Sequence, residues 1–287
     1  MDVTLDIDML RGWIGRTETA ADLIGPGPAR RMQATLDRQP SMTEGDDLPP
    51  FWHYLYFNPE IPASQLKEDG HEALGRFLPP VALPRRMWAS GRVEIARPLR
   101  IGEVATKASK IVDVTMKEGR SGALCFVTVD HDLTVDAEHC LSERQNIVYR
   151  EMPAPGAPQP SGKPAPDAAS FAAVITPDPV LLARYSALIF YSHRIHYDAD
   201  YTREVEGYPG LVVHGPLTAT LLLDLGVAQR PGARLTSFDI RAMSPLFCPN
   251  LVHLEGCHDG STTHMWARTP DGTLAMTVDM TFDAEDI

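Results

Sequence analysis

Residues 152–170 read MPAPGAPQPSGKPAPDAAS, six prolines set among small residues. Proline fixes φ and donates no N–H, so neither a helix nor a sheet ladder can run through this stretch, and an extended linker is expected. It divides the 287 residues into parts of similar size, 1–151 and 171–287, each large enough for an ordinary domain. The chain therefore has to be read as two bodies.

The two parts share local features. Arg97-Pro98-Leu99 and Ser244-Pro245-Leu246 each precede a strand-like stretch, and Gly122 to Val129 aligns with Gly272 to Val278 by placing Leu124 over Leu274. Ala34-Thr35-Leu36 aligns in the same way with Ala219-Thr220-Leu221. Each part then reads as a helix followed by long antiparallel strands, an α+β pattern built twice. The helix match is displaced by 185 residues and the Pro-Leu match by 147. On that alignment the first part carries an insertion of about 38 residues within 39–85, and a loop of that length is usually functional.

The second part is the easier to parse. Residues 217–225 are expected to be helical, with Pro216 in the first turn, Leu217, Leu221 and Leu225 on one face and Gly226 as the stop. Residues 234–244, 251–258, 262–267 and 273–282 read as strands, the last two joined through Pro270-Asp271-Gly272.

Net charge is -12 with a pI near 5.2, which argues against nucleic acid, since that partner needs a basic face. An anionic small molecule stays open, because a few local Lys and Arg residues suffice for phosphates. No run approaches the 18 or so apolar residues of a membrane span, and MDVTLDIDML lacks the basic-then-apolar pattern of a signal peptide. A cytoplasmic protein is expected. Cys125, Cys140, Cys248 and Cys257 are scattered without a CxxC pair and read as reduced structural residues.

The chemistry concentrates in residues 190–225, FYSHRIHYDADYTREVEGYPGLVVHGPLTATLLLDL. His193 and His196 with Asp198 or His214 could hold a metal, but no third ligand of defined spacing and no HExxH are present. Ser192, His196 and Asp198 could form a hydrolase triad, but no GxSxG elbow accompanies them. Asp198 also suits an N-cap for a short helix over 199–205. The fourth reading uses His214-Gly215-Pro216, where the free N–H groups and positive dipole end of a helix start can hold a thioester carbonyl as it gains enolate charge. A nearby imidazole could then move the proton of an attacking water.

Arg194-Ile195-His196-Tyr197-Asp198 followed by Gly210 to Leu217 resembles the MaoC-like hydratases of the type 2 hydroxyacyl-thioester dehydratase family, within it the branch acting on mesaconyl-C4-CoA and itaconyl-CoA. Trp13 to Arg16, Trp52 to Phe57, Leu83 to Ala89 and Glu143 to Arg150 extend the resemblance over nearly the whole chain. It implies a double hot-dog fold, two tandem repeats each with a long helix on a curved antiparallel sheet, with catalysis confined to the second. At the 185-residue offset Ala29-Arg30 stand where His214-Gly215 would be, and Arg11 where His196 would be. The resemblance implies His196 as general acid/base and the Gly215 N–H as oxyanion donor. The aspartate that related (R)-specific hydratases place five residues before this histidine falls on Tyr191, which leaves Tyr191, His193, Asp198 and Asp200 as candidate partners of His196. The substrate implied is a C4 or C5 dicarboxylic enoyl-CoA, and His214, Arg194, Arg85 and Arg86 are candidates to bind it. No cofactor or metal is implied, since the thioester supplies the electron sink; the expected partner is the CoA thioester, with a homo-oligomer left open. A medium-chain (R)-3-hydroxyacyl-thioester dehydratase and a non-catalytic acyl-CoA-binding protein remain as alternatives.

Overall fold

The computed structural model describes residues 6–119, 122–152 and 162–283; of the expected linker, 153–161 lie outside the described residues. The first half of the chain contributes β1 (Thr17–Leu23), β2 (Arg85–Ile95), β3 (Val104–Gly119), β4 (Gly122–Val135) and β5 (Glu138–Arg150). The second contributes β6 (Phe171–Ile175), β7 (Leu235–Ala242), β8 (Val252–Asp259), β9 (Thr262–Arg268) and β10 (Leu274–Phe282). All join one antiparallel sheet in the order β1-β3-β4-β5-β2-β7-β10-β9-β8-β6. Side chains of a strand alternate between faces. In β4 this buries Cys125, Val127, Val129, His131, Leu133 and Val135 on one side.

Counted from its outer edge, each half lays its five strands in the same order: first, third, fourth, fifth, second. The two second strands, β2 and β7, pair at the centre. β2 skips Ala89 in its pairing with β5, and β7 skips Thr236 in its pairing with β10. These bulges lie 147 residues apart, the displacement that also relates Pro98 to Pro245. The central pair Arg92 and Asp239 has the same displacement and so lies on the pseudo-twofold axis, where it forms an ion pair. In a true homodimer a residue on that axis would face its own copy. The fused halves are free to differ there and place opposite charges together.

The helices depart from this symmetry. α1 (Ile7–Arg11) packs on β3, whereas α2 (Pro26–Thr35) and α3 (Pro179–Leu188) pack on each other. α4 (Ala199–Glu204) is short, and α5 (Gly215–Ala228) lies on β7, β8, β9 and β10. α2 follows β1 as α3 follows β6, so the strand order matches α2 with α3, not with α5. The 185-residue alignment and the insertion drawn from it are thereby replaced. The connections from α2 to β2 (36–84) and from α3 to β7 (189–234) are of nearly equal length. The Gly122/Gly272 match likewise joins strands in different places, since β4 is the fourth strand of its half and β10 the fifth.

The fold is α+β, a double hot dog in which the long helix expected on each sheet covers only that of the second half. In the first half a turn at Trp52–Leu55 and the chain around it take that place, inserting Phe51, Trp52, Leu55 and Tyr56 into the core. α5 runs on through Gly226 to Ala228. A Cβ at Gly226 would meet Met280 Sδ at 2.4 Å, so this glycine permits close helix-to-sheet packing and does not end the helix.

Candidate active site

The start of α5 is held from both sides. Residues 211–213 run beside 246–248 through Val213 N–H to Leu246 O and Cys248 N–H to Leu211 O, each at 2.9 Å. His214 is the N-cap and Pro216 occupies the first turn. The first N–H groups of a helix have no intrahelical partner, and among the described residues nothing accepts the N–H of Gly215. A Cβ there would lie 3.3 Å from the Trp88 ring and 3.9 Å from Met276, so the glycine packs close against the indole.

Four buried imidazoles gather at this helix start. His196 stacks on His214 at 3.6 Å between centroids, His193 meets His196 edge-on at 5.6 Å, and His71 lies 3.9 Å from His193. Each has less than a tenth of its surface exposed. His196 Nδ1 is 2.7 Å from the Val212 carbonyl. A carbonyl only accepts, so Nδ1 carries the proton and Nε2 is left as a free lone pair. His214 Nε2 contacts Ser186 Oγ of α3 at 2.8 Å, while its Nδ1 has no partner among the described residues. Burial, which disfavours the charged form, pushes His71 and His196 down to about 4 and His193 to about 2, and takes His214 well below the ordinary range. At neutral pH all four rings are uncharged.

His71 arrives from the first half on the turn Lys67-Glu68-Asp69-Gly70-His71. The turn is fastened to the site by Ser192 Oγ–H to Gly70 O at 2.7 Å and Arg194 N–H to Asp69 O at 3.0 Å. Gly70 has φ +86, and a Cβ there would fall 1.8 Å from the Ser192 carbonyl, so only glycine lets the two segments meet. The His71 ring faces Tyr191, whose hydroxyl is 2.6 Å from Nε2, while Nδ1 lies 3.2 Å from the Asp69 carboxylate. Sequence reasoning missed Asp69 and His71. The Asp-Gly pair signals a tight turn, but nothing local says which surface the turn meets.

Of the residues singled out in the sequence, Tyr191, His193, His196, His214 and Gly215 come together here. The others are engaged elsewhere. Asp198 caps α4 by accepting the Tyr201 N–H at 3.0 Å and pairs with Arg194 at 2.7 Å. It is thus the helix cap foreseen as its alternative, and its role as partner of His196 is corrected. Asp200 is exposed on α4. Arg194, turned to that surface ion pair, also stacks on Tyr201, and Arg85 is buried against Glu206 at 3.2 Å with its guanidinium over Tyr208. Neither is free to meet a ligand carboxylate, because each already neutralises one. Arg86 points to the same face of β2 as Trp88 and lies beside the Tyr191 and Tyr149 hydroxyls. Burial opposes its charge, but these hydroxyls hold its pKa above the ordinary value. No carboxylate pairs with it among the described residues.

Among the described residues no group of three or more His, Cys, Asp or Glu side chains is arranged to hold a metal ion, and no helix is long and apolar enough to cross a membrane. The four cysteines are free.

Residues 51–248 match the family described as hydroxyacyl-thioester dehydratase type 2. The chain is 43% identical over 268 residues to the mesaconyl-C(4)-CoA hydratase of Chloroflexus aurantiacus, covering 92% of this chain and 94% of that one. It is 27% identical over 260 residues to the mitochondrial hydroxyacyl-thioester dehydratase type 2 of Schizosaccharomyces pombe, covering 79% and 85%. A MaoC-like dehydratase from Phytophthora capsici superposes with a TM-score of 0.69 at 15% identity, over 98% of this chain and all of the other, and so shares its fold.

Proposed function

Because the chain belongs to the hydroxyacyl-thioester dehydratase type 2 family and is a hydro-lyase, we propose that it hydrates a short dicarboxylic enoyl-CoA, with mesaconyl-C4-CoA as the substrate. The identity to the Chloroflexus enzyme over nearly the full length of both chains favours this substrate over itaconyl-CoA. The observation that carries the reading is a neutral imidazole with a free Nε2, His196, packed at a helix start whose Gly215 N–H is unclaimed.

The reaction follows from those two groups. His196 Nε2 takes a proton from water as the water oxygen bonds to C3. The double-bond electrons move through C2 onto the thioester oxygen, and the Gly215 N–H and the positive end of α5 stabilise that enolate. His196 then returns the proton to C2 and is restored. Holding Nδ1 on Val212 keeps one tautomer, so Nε2 never has to compete for the wrong proton. The buried ring stays a base across the neutral range. Trp88 covers the Gly215 bend and keeps bulk water off it, which strengthens the contact to the enolate. Arg86, the cation on this face without a carboxylate partner, would receive the substrate's free carboxylate.

The test compares mesaconyl-C4-CoA with crotonyl-CoA, which lacks that carboxylate. Arg86→Leu should raise KM for mesaconyl-C4-CoA by at least about tenfold, as expected when one partner of a desolvated charge pair is removed, while crotonyl-CoA is little affected. Equal effects on both would remove Arg86 from the role, and a native protein that hydrates neither would overturn the function.

A further inference from the structure

His196 can pull on only one hydrogen of the attacking water. The other hydrogen, which remains in the product hydroxyl, needs an acceptor if the water is to present a lone pair to C3. On the hydratase reading above, we infer that Tyr191 supplies this acceptor as a further catalytic residue, and that Asp69 and His71, brought in from the first half of the chain, are positioning residues that set the direction of its O–H.

One chain of contacts gives the Tyr191 hydroxyl a fixed polarity. Asp69 accepts the His71 backbone N–H at 2.9 Å and the Lys67 ammonium at 3.2 Å. Burial works against its charge, but the hydrogen bonds and charge around it hold its pKa below the carboxylate range, so it is ionised. The His71 nitrogen 3.2 Å from it, Nδ1, makes no well-aligned hydrogen bond, but a lone pair there would face an ionised carboxylate, so the charge of Asp69 holds the ring proton on Nδ1. Burial keeps His71 neutral, and Nε2 is then a lone pair that can only accept. The Tyr191 hydroxyl at 2.6 Å must donate to it. With its one proton committed, the phenol oxygen presents only lone pairs on its remaining sides, one toward the Arg86 guanidinium and one left for water. Its ring lies 5.9 Å from that of His196 and is half-buried. Water placed there gives one hydrogen to His196 Nε2 and the other to Tyr191. No bond to Tyr191, His71 or Asp69 forms or breaks.

This relay also accounts for the glycine at position 70. Any side chain there would strike Ser192, the residue next to Tyr191, and lift His71 off the phenol. A structural pair could tolerate such a shift, whereas a hydrogen-bond chain of fixed polarity cannot.

The experiment measures kcat and KM for mesaconyl-C4-CoA in Tyr191→Phe, Asp69→Asn and their double variant, with melting temperatures alongside. Tyr191→Phe should lower kcat by about tenfold to 100-fold, the scale of a misplaced reacting group, with KM within about twofold. Asp69→Asn keeps the shape but can donate to Nδ1, which moves the ring proton to Nε2 and reverses Tyr191; a wrong tautomer is likewise what disables an Asp-to-Asn triad. It should lower kcat similarly, and the double variant should be no worse than Tyr191→Phe, because the residues act as one unit. Native kcat in Tyr191→Phe, a change confined to KM, or additive losses in the double variant would overturn the inference. Should the native enzyme hydrate the substrate while Tyr191→Phe matches it, only this inference fails. An inactive native enzyme would instead remove the function on which it rests.

Discussion

The pseudo-twofold that relates β2 to β7 also relates two places on the sheet, one in each half. In the second, Trp88 and Met276 flank Gly215 at the start of α5. Their equivalents in the first are Leu235 and Leu141, which line a cleft with Leu48, Phe51, His53 and Leu99. Both places have a histidine, but only one has a helix start. In the first, no long helix lies on the sheet, and His53 Nε2 is taken up by Glu143 at 3.1 Å, with Tyr54 donating to the same carboxylate at 2.7 Å. Burial works against the Glu143 charge, but these contacts hold its pKa down to about 2. The pair is therefore self-satisfied at neutral pH. The two halves share the sheet and its strand order, while the proposed chemistry goes with the free imidazole and the helix N-terminus. The first half nonetheless reaches the proposed site through its 67–71 turn.

The largest effect is expected at Gly215. Gly215→Pro removes the N–H proposed to hold the enolate, and loss of one such donor costs on the order of 3 kcal/mol, a factor of 100 to 1,000 in kcat. Thermal melting checks that the protein remains folded. Gly215→Ala keeps the N–H but sets a methyl 3.3 Å from Trp88, so a smaller loss is expected. A folded Gly215→Pro enzyme with native turnover would show that the carbonyl is held elsewhere.

The first cleft should respond in stability instead. Glu143→Gln leaves His53 buried without its carboxylate, a change that for buried pairs costs about 3 kcal/mol. Melting should fall by several degrees while kcat of the folded enzyme is unchanged. A loss of kcat without a loss of stability would make the first cleft part of the chemistry.

The smallest effect expected is on acid sensitivity, and it separates the two sites by pH window. His71 and His196 titrate near 4 when folded and near 6.5 when unfolded. Between those values the unfolded chain binds more protons, so the stability they contribute is present above about 6.5 and is lost as pH falls toward 4. Asp224, raised by burial to about 6, works in the opposite direction as a single group. Glu143, at about 2, protects the first half until pH falls below the ordinary carboxylate range. His71→Gln should flatten the melting profile between pH 6.5 and 4 and leave the lower window alone. An unchanged upper window would mean that His71 is not held neutral by burial.

How much of this was legible in the sequence depends on the range of the interactions. α5, the strands β7 to β10 and the Asp198 cap could be read locally, because periodicity, turn residues and caps act within a few positions. The Pro98/Pro245 displacement was also correct, since it lies next to the matched bulges. The match of α2 to α5 failed because short apolar segments resemble one another whatever their place in the fold, and only the strand order identifies α3 as the counterpart. Asp69 and His71 were out of reach for a related reason. Their partner Tyr191 lies 120 residues away, and their meeting depends on a backbone contact at Gly70 that leaves no periodic trace. Arg85 and Arg86 look alike in sequence, but strand alternation sends one to Glu206 and the other toward the site.

The most direct measurement is kcat for mesaconyl-C4-CoA in two paired variants, His196→Ala and His53→Ala, each checked for folding by thermal melting. The two histidines lie in the two halves, and the proposed chemistry belongs to His196 alone. That assignment predicts a loss of about 100-fold or more for folded His196→Ala, the scale of a missing general acid-base group, and native kcat for whatever fraction of His53→Ala is folded. Near-native turnover by folded His196→Ala, or a folded His53→Ala protein without activity, would contradict it.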